Sequence, residues 1–359
     1  MQGEKALDTK QIETDVIIIG GGQAGLSTAY FLKRKNIPFI ILDDQPQPGG
    51  AWQHAWESLR LFSPNSWSSL SGWMMPATEQ TYPTRHEVIN YLTAYEQRYH
   101  FPIVRPVHVD RVENQGTYLE VYAGERCWKA KAVVSATGTW SHPFIPEYAG
   151  REHFQGVQLH SADYKNAELF KNKKVMVVGG GNSGAQILAE VSQVAETLWI
   201  TQTLPQFLAD DVDGRVLFLR ATERLKAQQE GKSIKQPIGG LGDIVMIDSV
   251  KDARARSVLH SERPFSAFTE HGVIWEDGST AQVDVVIWCT GFKAALNHLS
   301  SLGIIQPDQT IAVQNGRSVE VPNLWLVGYG EWTGAASATL VGVSRTSRAV
   351  AEEIASFLG

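Results

Sequence analysis

At five places along the chain a strand-like, largely apolar run ends in a glycine turn, at Gly20, Gly138, Gly179, Gly291 and Gly328. Runs without polar alternation suit strands of a parallel sheet covered on both faces, and each glycine turn marks a strand end. Two of the five continue in the same way. After Asp15–Gly25 (DVIIIGGGQAG) come a stretch of helical periodicity, 26–35, and a second apolar strand, 38–42. After Lys174–Gly184 (KVMVVGGGNSG) come a helical stretch, 185–195, and a strand, 197–200. These are two βαβ beginnings, far apart in sequence. The other three runs, 132–138, 283–291 and 323–330, each bring the chain back into a sheet. Residues 220–262 are polar and read as helical or irregular, with no chemical signature. The last segment, 335–358, reads as a helix after a glycine turn.

The glycines of the two echoing segments carry the first chemistry. Gly20, Gly22 and Gly25 form G-x-G-x-x-G around Gln23 and Ala24, and Gly179, Gly181 and Gly184 do so around Asn182 and Ser183. The first glycine makes the tight turn, the second lets a pyrophosphate approach the backbone, and the third lets helix and strand pack closely. The helix start then offers unpaired N–H groups and a positive dipole end to phosphate. One such match is weak; two, each between an apolar strand and a helix, are strong. The expected fold is therefore α/β, with two Rossmann-like dinucleotide-binding domains. One comprises 1–143 plus 291–359, and the other, 144–290, is inserted in it.

The residues at the end of the second strand choose the nucleotide. Asp43 follows the first motif, and a carboxylate there accepts bonds from ribose hydroxyls and repels a 2′-phosphate, which suits FAD or NAD. After the second motif stand Thr201, Gln202 and Thr203, with neither an arginine to clamp a 2′-phosphate nor a carboxylate to reject one. That site is expected to accept both NADH and NADPH.

Composition narrows the class. The chain has 359 residues, 43% of them hydrophobic, enough to bury a core without disulfide or metal staples. A net charge of −6 argues against a general nucleic-acid binder and against a basic membrane-surface protein. The two cysteines, Cys127 and Cys289, are too far apart for a Cys-x-x-Cys redox centre, and no cysteine zinc site or disulfide framework is possible. No metal ligand set is expected. Residues 1–15 are polar, unlike a secretory signal, and no apolar run approaches membrane-spanning length. A soluble protein of a reducing, cytoplasmic compartment is expected.

Just before the second motif, Phe154–Tyr164 (FQGVQLHSADY) fits F-x-G-x-x-x-H-x-x-x-[YF], a pattern that chain composition yields by chance about 0.002 times. It resembles the fingerprint of flavin-containing monooxygenases and, as in that family, sits between two dinucleotide motifs. The resemblance spans nearly the whole chain, including Gly49–Trp52 (GGAW) and the turns at Thr137–Gly138 and Thr290–Gly291. The chain resembles the short bacterial members, and Leu61–Pro64, His160–Tyr164 and Asp210–Arg215 are similar to flavoproteins found beside arsenic-resistance genes. Baeyer–Villiger monooxygenases carry Trp where this chain has Tyr164.

The resemblance implies a flavoprotein in which NAD(P)H reduces FAD and dioxygen adds to give a 4a-hydroperoxyflavin. One oxygen atom then passes to a soft nucleophile, a sulfide or an amine. It implies FAD contacts at Gly20, Gly22, Gln23, Ala24, Gly25, Asp43, Gly50, Trp52, the backbone of Val109, Thr137, Gly138, Gly330 and Glu331. Glu331 stands where related flavoproteins have Asp. It implies NAD(P)H contacts at His160, Gly179, Gly181, Asn182, Ser183, Gly184, Thr201, Gln202, Thr203, Thr290 and Gly291, with Tyr164 beside the nicotinamide. Larger members carry an asparagine near the flavin. An ungapped comparison puts Phe62 or Ser63 there, leaving Asn65 as the nearest candidate. A small-molecule substrate and a homodimer are expected by the same resemblance. Three readings compete: the monooxygenase, with Baeyer–Villiger oxidation of ketones as a side activity; an NAD(P)H oxidase or redox sensor releasing hydrogen peroxide; and a disulfide reductase, which lacks its required cysteine pair here.

Overall fold

A computed structural model of the chain describes residues 12–78, 80–232 and 243–359. The N-terminal residues up to 11, in the segment read as unlike a secretory signal, and residues 233–242 of the polar stretch lie outside the described residues. In chain order the strands begin with β1 (Ile12–Ile19), β2 (Phe39–Leu42), β3 (Ile103–Val104), β4 (Arg111–Asn114), β5 (Leu119–Ala123) and β6 (Arg126–Ser135). There follow β7 (Val157–His160), β8 (Lys174–Val178), β9 (Glu196–Ile200), β10 (Ser261–Glu262), β11 (Ala267–Thr269), β12 (Gly272–Ile274), β13 (Thr280–Gln282) and β14 (Val285–Trp288). The last are β15 (Val313–Gln314), β16 (Arg317–Ser318) and β17 (Leu324–Leu326). The helices are α1 (Gln23–Arg34), α2 (Arg85–Tyr99), α3 (Asn182–Val191), α4 (Gly214–Gln229), α5 (Asp248–Ala255) and α6 (Leu340–Leu358).

The apolar runs become the strands of two separate sheets. Among the described residues the first sheet has nine strands, with β17, β6, β1, β2 and β3 side by side and parallel. Val16–Ile19 of β1 are buried, as a strand covered on both faces must be. Among the described residues the second sheet runs β10-β9-β8-β14-β7, and every pairing in it is parallel. It is built wholly from residues 157–288, within the span of the first sheet's chain. A small antiparallel sheet, β11-β12-β13, completes the inserted part. Mixed α/β layers of this kind are what the sequence pattern predicts.

Helix boundaries shift from the expected ones for identifiable reasons. α1 and α3 begin three residues earlier than their apolar periodicity, because extended Gly22 and Gly181 serve as their N-caps and the small residues behind them are already helical. α6 begins five residues later than expected. Ala336 has φ 55°, a left-handed conformation no helix can pass through, and Thr339 then caps the helix by accepting from Gly342 N–H at 3.1 Å. α2 starts on a reciprocal Thr84–Glu87 capping box.

The chain crosses between the sheets twice, and the two crossings are hydrogen-bonded to each other. Phe144 N–H donates to Gly291 O at 2.9 Å, Lys293 N–H to His142 O at 2.8 Å, and Ala295 N–H to Gly138 O at 2.9 Å. Trp140 stacks on Phe292 with ring centroids 5.0 Å apart. Gly138 (φ 69°) and Gly291 (φ 83°) adopt the left-handed turns that each crossing needs.

Candidate functional site

The two glycine motifs form two cradles of the same design. A Cβ on Gly20 would lie 2.5 Å from the Ala136 carbonyl oxygen, and one on Gly25 would overlap the Gly20 carbonyl. In the second motif a Cβ on Gly179 would overlap the Cys289 carbonyl, and one on Gly184 the Gly179 carbonyl. The outer glycines are therefore required by the protein's own backbone packing. The middle ones are not. A Cβ on Gly22 would find only Gly50 Cα, at 3.8 Å, and one on Gly181 would find nothing within 4 Å. Each helix start is left with open space above unpaired N–H groups, which is the shape a pyrophosphate fills.

Around the first cradle the expected residues converge. The Gly49–Gly50 turn comes so close that a Cβ on Gly50 would lie 2.8 Å from Gly22 Cα. Trp52 Nε1–H donates to Gln23 Oε1 at 3.1 Å, and Gln23 Nε2–H donates to Ala338 O at 2.7 Å. Gln23 thus ties the GGAW turn to the chain entering α6. Ala24 packs against Gly328, the start of the last glycine turn. Gly330 has free space at its Cβ position, and Glu331 beyond it is exposed. Val109 is buried beside Val107, whose N–H donates to Asp43 O at 2.7 Å.

Asp43 is only 2% exposed, and its partner comes from far along the chain, where no local pattern points to it. Arg105, from the segment after β3, reaches its Oδ2 with Nη2 at 2.9 Å and Nε at 3.0 Å, and reaches Glu96 of α2 with its other donors. Burial pushes the Asp43 carboxyl up, while Arg105 and the Gly21 N–H pull it down. Arg85 is a second unforeseen member: it donates to Trp52 O at 2.9 Å and to Gln53 O at 2.6 Å, fixing the GGAW turn from α2.

A buried chain of side chains lies where the first crossing leaves the sheet. Thr137 Oγ1 donates to Ala295 O at 2.7 Å, since a carbonyl can only accept. The Tyr329 hydroxyl, 2.6 Å away, must therefore donate to Thr137 Oγ1. Its oxygen then accepts from Thr137 N–H at 3.2 Å and from Ser135 Oγ at 2.5 Å. Ser135 Oγ in turn accepts from His298 Nε2, at 2.9 Å. The arrangement assigns the proton of His298 to Nε2. Burial lowers the His298 pKa to about 4, and it raises that of Tyr329, so both are neutral. Thr137 and Gly138 of the outgoing turn are thereby tied to the returning chain and to the last glycine turn.

Around the second cradle the structure corrects three expectations. Asn182 does not offer its amide to a ligand: Nδ2 donates to Asp243 O at 2.8 Å and Oδ1 accepts from Val245 N–H at 2.9 Å. Its helix-start N–H is what remains for a phosphate. Tyr164 does not face an open nicotinamide side. It is 0% exposed, stacked on Phe170 and edge-on to Trp56, in the core under α3. The strand end is not without an arginine in the fold, because Thr201 N–H donates to Glu262 O of β10 and Arg263 is the next residue along. Thr201 is buried, whereas Gln202 and Thr203 are exposed, and Ser183 is half-buried on the first turn of α3.

His160 ends β7 opposite Trp288 and is 2% exposed. Its Nδ1 accepts from Ala162 N–H at 3.1 Å, so Nε2 carries the proton, and that atom is buried without a hydrogen bond of ordinary geometry. The ring meets Phe292 edge-on, with centroids 4.8 Å apart, against the returning crossing. Burial lowers its pKa, with Gly291 and Asp163 opposing. Thr290 donates to Phe144 O across the two crossings. Asn65 opens a short 3₁₀ turn, and its amide donates to Met75 O and Pro76 O at 3.4 and 3.1 Å. It holds its own loop.

Thiol chemistry has no place in this arrangement. Cys127 lies on β6 in the first sheet and Cys289 follows β14 in the second, both unpaired, with burial pushing Cys289 up to about 12. Among the described residues no group of three or more His, Cys, Asp or Glu is arranged to hold a metal ion, and no helix is long and apolar enough to cross a membrane.

Two sheets with parallel cores, each carrying a glycine turn before a helix and joined by paired crossings, are the fold of two-dinucleotide flavoprotein oxidoreductases. Residues 17–328 match the family model of pyridine nucleotide-disulphide oxidoreductases. A flavin-containing monooxygenase from Stenotrophomonas maltophilia is 50% identical, with a TM-score of 0.90 over 97% of this chain and 100% of that one. An uncharacterized oxidoreductase, CzcO, of Bacillus subtilis is 30% identical over 95% of this chain and 99% of its own length. The indole-3-pyruvate monooxygenase YUCCA4 of rice (Oryza sativa subsp. japonica) is 28% identical over 77% of this chain and 74% of its own. The chain belongs to the pyridine nucleotide-disulphide oxidoreductase family and, within it, to the flavin-containing monooxygenases. It is an oxidoreductase, and its family works with a flavin, a nicotinamide nucleotide and dioxygen.

Proposed function

We propose that this protein binds FAD in the first cradle and NADH or NADPH in the second, and oxygenates a small soft nucleophile, a sulfide or an amine. The observation that carries the reading is the open space at Gly22 and Gly181 between outer glycines locked against backbone. A protein that needed only two tight turns would have no reason to keep those middle positions empty. The domain division follows: 1–143 plus 291–359 for FAD, and 144–290 for the nicotinamide nucleotide. FAD held in the first cradle would supply the redox chemistry between the nicotinamide and dioxygen.

The chain's own tasks are binding and exclusion of water. The N–H groups at the starts of α1 and α3 hold the two pyrophosphates. Asp43, held in place by Arg105, accepts the ribose hydroxyls of FAD. Gly50, Trp52 and the Val109 backbone flank that nucleotide, and Thr137, Gly138, Gly330 and Glu331 line the side where the last turn meets the crossing. Asn182 and Tyr164 act at one remove, Asn182 by pinning 243–245 against α3 and Tyr164 by packing under it. His160 supports the crossing that carries Thr290 and Gly291. With its proton on Nε2 and its Nδ1 engaged, it needs no role as a general base.

The test is direct. Purified protein loaded with FAD is mixed with NADPH or NADH, oxygen and a thioether, and isotopic oxygen in the product is compared with hydrogen peroxide released. Labelled sulfoxide formed in step with coenzyme consumption is expected, and both coenzymes should serve. Peroxide equal to coenzyme consumed, with no labelled product across sulfides and amines, would replace the monooxygenase reading by an oxidase. Protein that stays colourless and takes up no FAD would remove both.

A further inference from the structure

Thr201–Thr203 contains no arginine, but the sheet brings one to it from 60 residues further along the chain. β10 runs parallel beside β9, with Ser261 opposite Trp199 and Glu262 opposite Ile200. Thr201 N–H donates to Glu262 O at 3.1 Å, so the next residue, Arg263, is the lateral neighbour of Thr201, about 5 Å across the ladder. Trp275 Nε1–H donates to the Arg263 carbonyl at 3.0 Å and so anchors that residue's backbone. That side chain is 60% exposed, and its guanidinium is held by Asp277 from the turn between β12 and β13. Asp277 is itself set by Ser279, whose N–H and hydroxyl reach it at 3.0 and 2.6 Å.

We propose that Arg263 is the group that meets the adenosine 2′-phosphate of NADPH, and that Asp277 competes with that phosphate for it. The inference rests on the second cradle holding a nicotinamide nucleotide. In a G-x-G-x-x-G unit the adenosine ribose lies over the end of the second strand, here Thr201, and an arginine near that point accommodates a 2′-phosphate. A guanidinium fork matches phosphate oxygens as it matches a carboxylate. NADH, which lacks the phosphate, leaves the Arg263–Asp277 pair closed. NADPH must draw the guanidinium from Asp277, and its phosphate gains only the difference. Acceptance of both coenzymes then comes from a competition at this edge of the sheet.

The experiment is calorimetric titration of FAD-loaded protein with 2′,5′-ADP and with 5′-AMP, which differ only by the phosphate in question. Arg263→Ala is expected to weaken 2′,5′-ADP about tenfold and leave 5′-AMP within about twofold, as for loss of a hydrogen-bonded charge. Asp277→Asn is expected to tighten 2′,5′-ADP about threefold with 5′-AMP unchanged. KM values for NADPH and NADH should follow the same pattern. Equal weakening of both nucleotides by Arg263→Ala, or 2′,5′-ADP affinity unmoved by either substitution, overturns the proposal. If neither nucleotide binds the unaltered protein, the coenzyme reading of the second cradle falls and the proposal falls with it.

Discussion

At the scale of single residues, the glycines of one motif divide into two kinds that substitution can separate. Gly22 has extended backbone and room at its Cβ position, so Gly22→Val is expected to fold with a melting temperature close to that of the parent and to purify without FAD. Gly20→Ala would press a methyl group against the Ala136 carbonyl. It is expected to lose about 1–3 kcal/mol or more in urea denaturation, whatever the flavin content. This distinction was legible in the spacing, because a strand–turn–helix unit imposes its demands within a few consecutive residues. The partners of site residues were not legible. Arg105 reaches Asp43 across 62 positions, and Asn182 finds Asp243 across 61, which no local pattern encodes. Tyr164 was placed by analogy with a linear fingerprint, and tertiary packing put it in the core instead. The thiols give a further expectation. Replacing Cys127 and Cys289 by Ser should leave coenzyme-driven flavin reduction, followed by absorbance, within about twofold, because the Cys289 thiol is held protonated by burial and Cys127 lies on a strand of the other sheet.

At the scale of elements, the buried parallel strands β1, β2, β8, β9, β14 and β17 were read within a few residues because such strands are written as continuous apolar runs, whereas short and edge strands such as β3 and β10 carry no run of that kind. Helix starts were displaced because glycine caps and a left-handed Ala336 carry no apolar signal. The hydrogen-bonded chain from Thr137 to His298 was invisible, since its members come from β6, the returning crossing and the last glycine turn. Its energetic weight can be measured. Tyr329→Phe removes one hydroxyl and leaves Ser135 and the Thr137 N–H without their buried partner. A loss of about 1–3 kcal/mol in urea denaturation is expected, together with weaker FAD retention, because the same hydroxyl holds the outgoing turn. A stability change below a few tenths of a kcal/mol would mean that the chain is not closed in solution. Thr84→Ala, at the capping box of α2, is expected to cost about 1 kcal/mol, and it reports on the helix that supplies Glu96 and Arg85 to the first cradle.

At the scale of the whole molecule, the buried His298 makes stability depend on pH in a predictable direction. Its pKa falls from 6.5 to about 4 on folding, so between those values the unfolded chain binds a proton that the folded one refuses. The stabilisation is fully present above the unfolded pKa and is lost as pH falls toward the folded one. From pH 7 to pH 5 this residue is expected to remove about 2 kcal/mol, seen as the part of the decline that His298→Asn abolishes in parallel urea titrations. The nested arrangement of the two sheets also bears on how the chain is made. β6 offers its Val133–Ser135 edge to β17, which lies almost two hundred positions downstream. At ribosomal speeds of roughly 5–20 residues per second, that edge stays bare for about 10–40 seconds of synthesis. The strands of the second sheet emerge within that interval and have all their partners. The sheet built from the middle of the chain, 157–288, therefore matures first, and the nascent polypeptide spends its most aggregation-prone moments waiting for three residues, Leu324–Leu326, to close the seam.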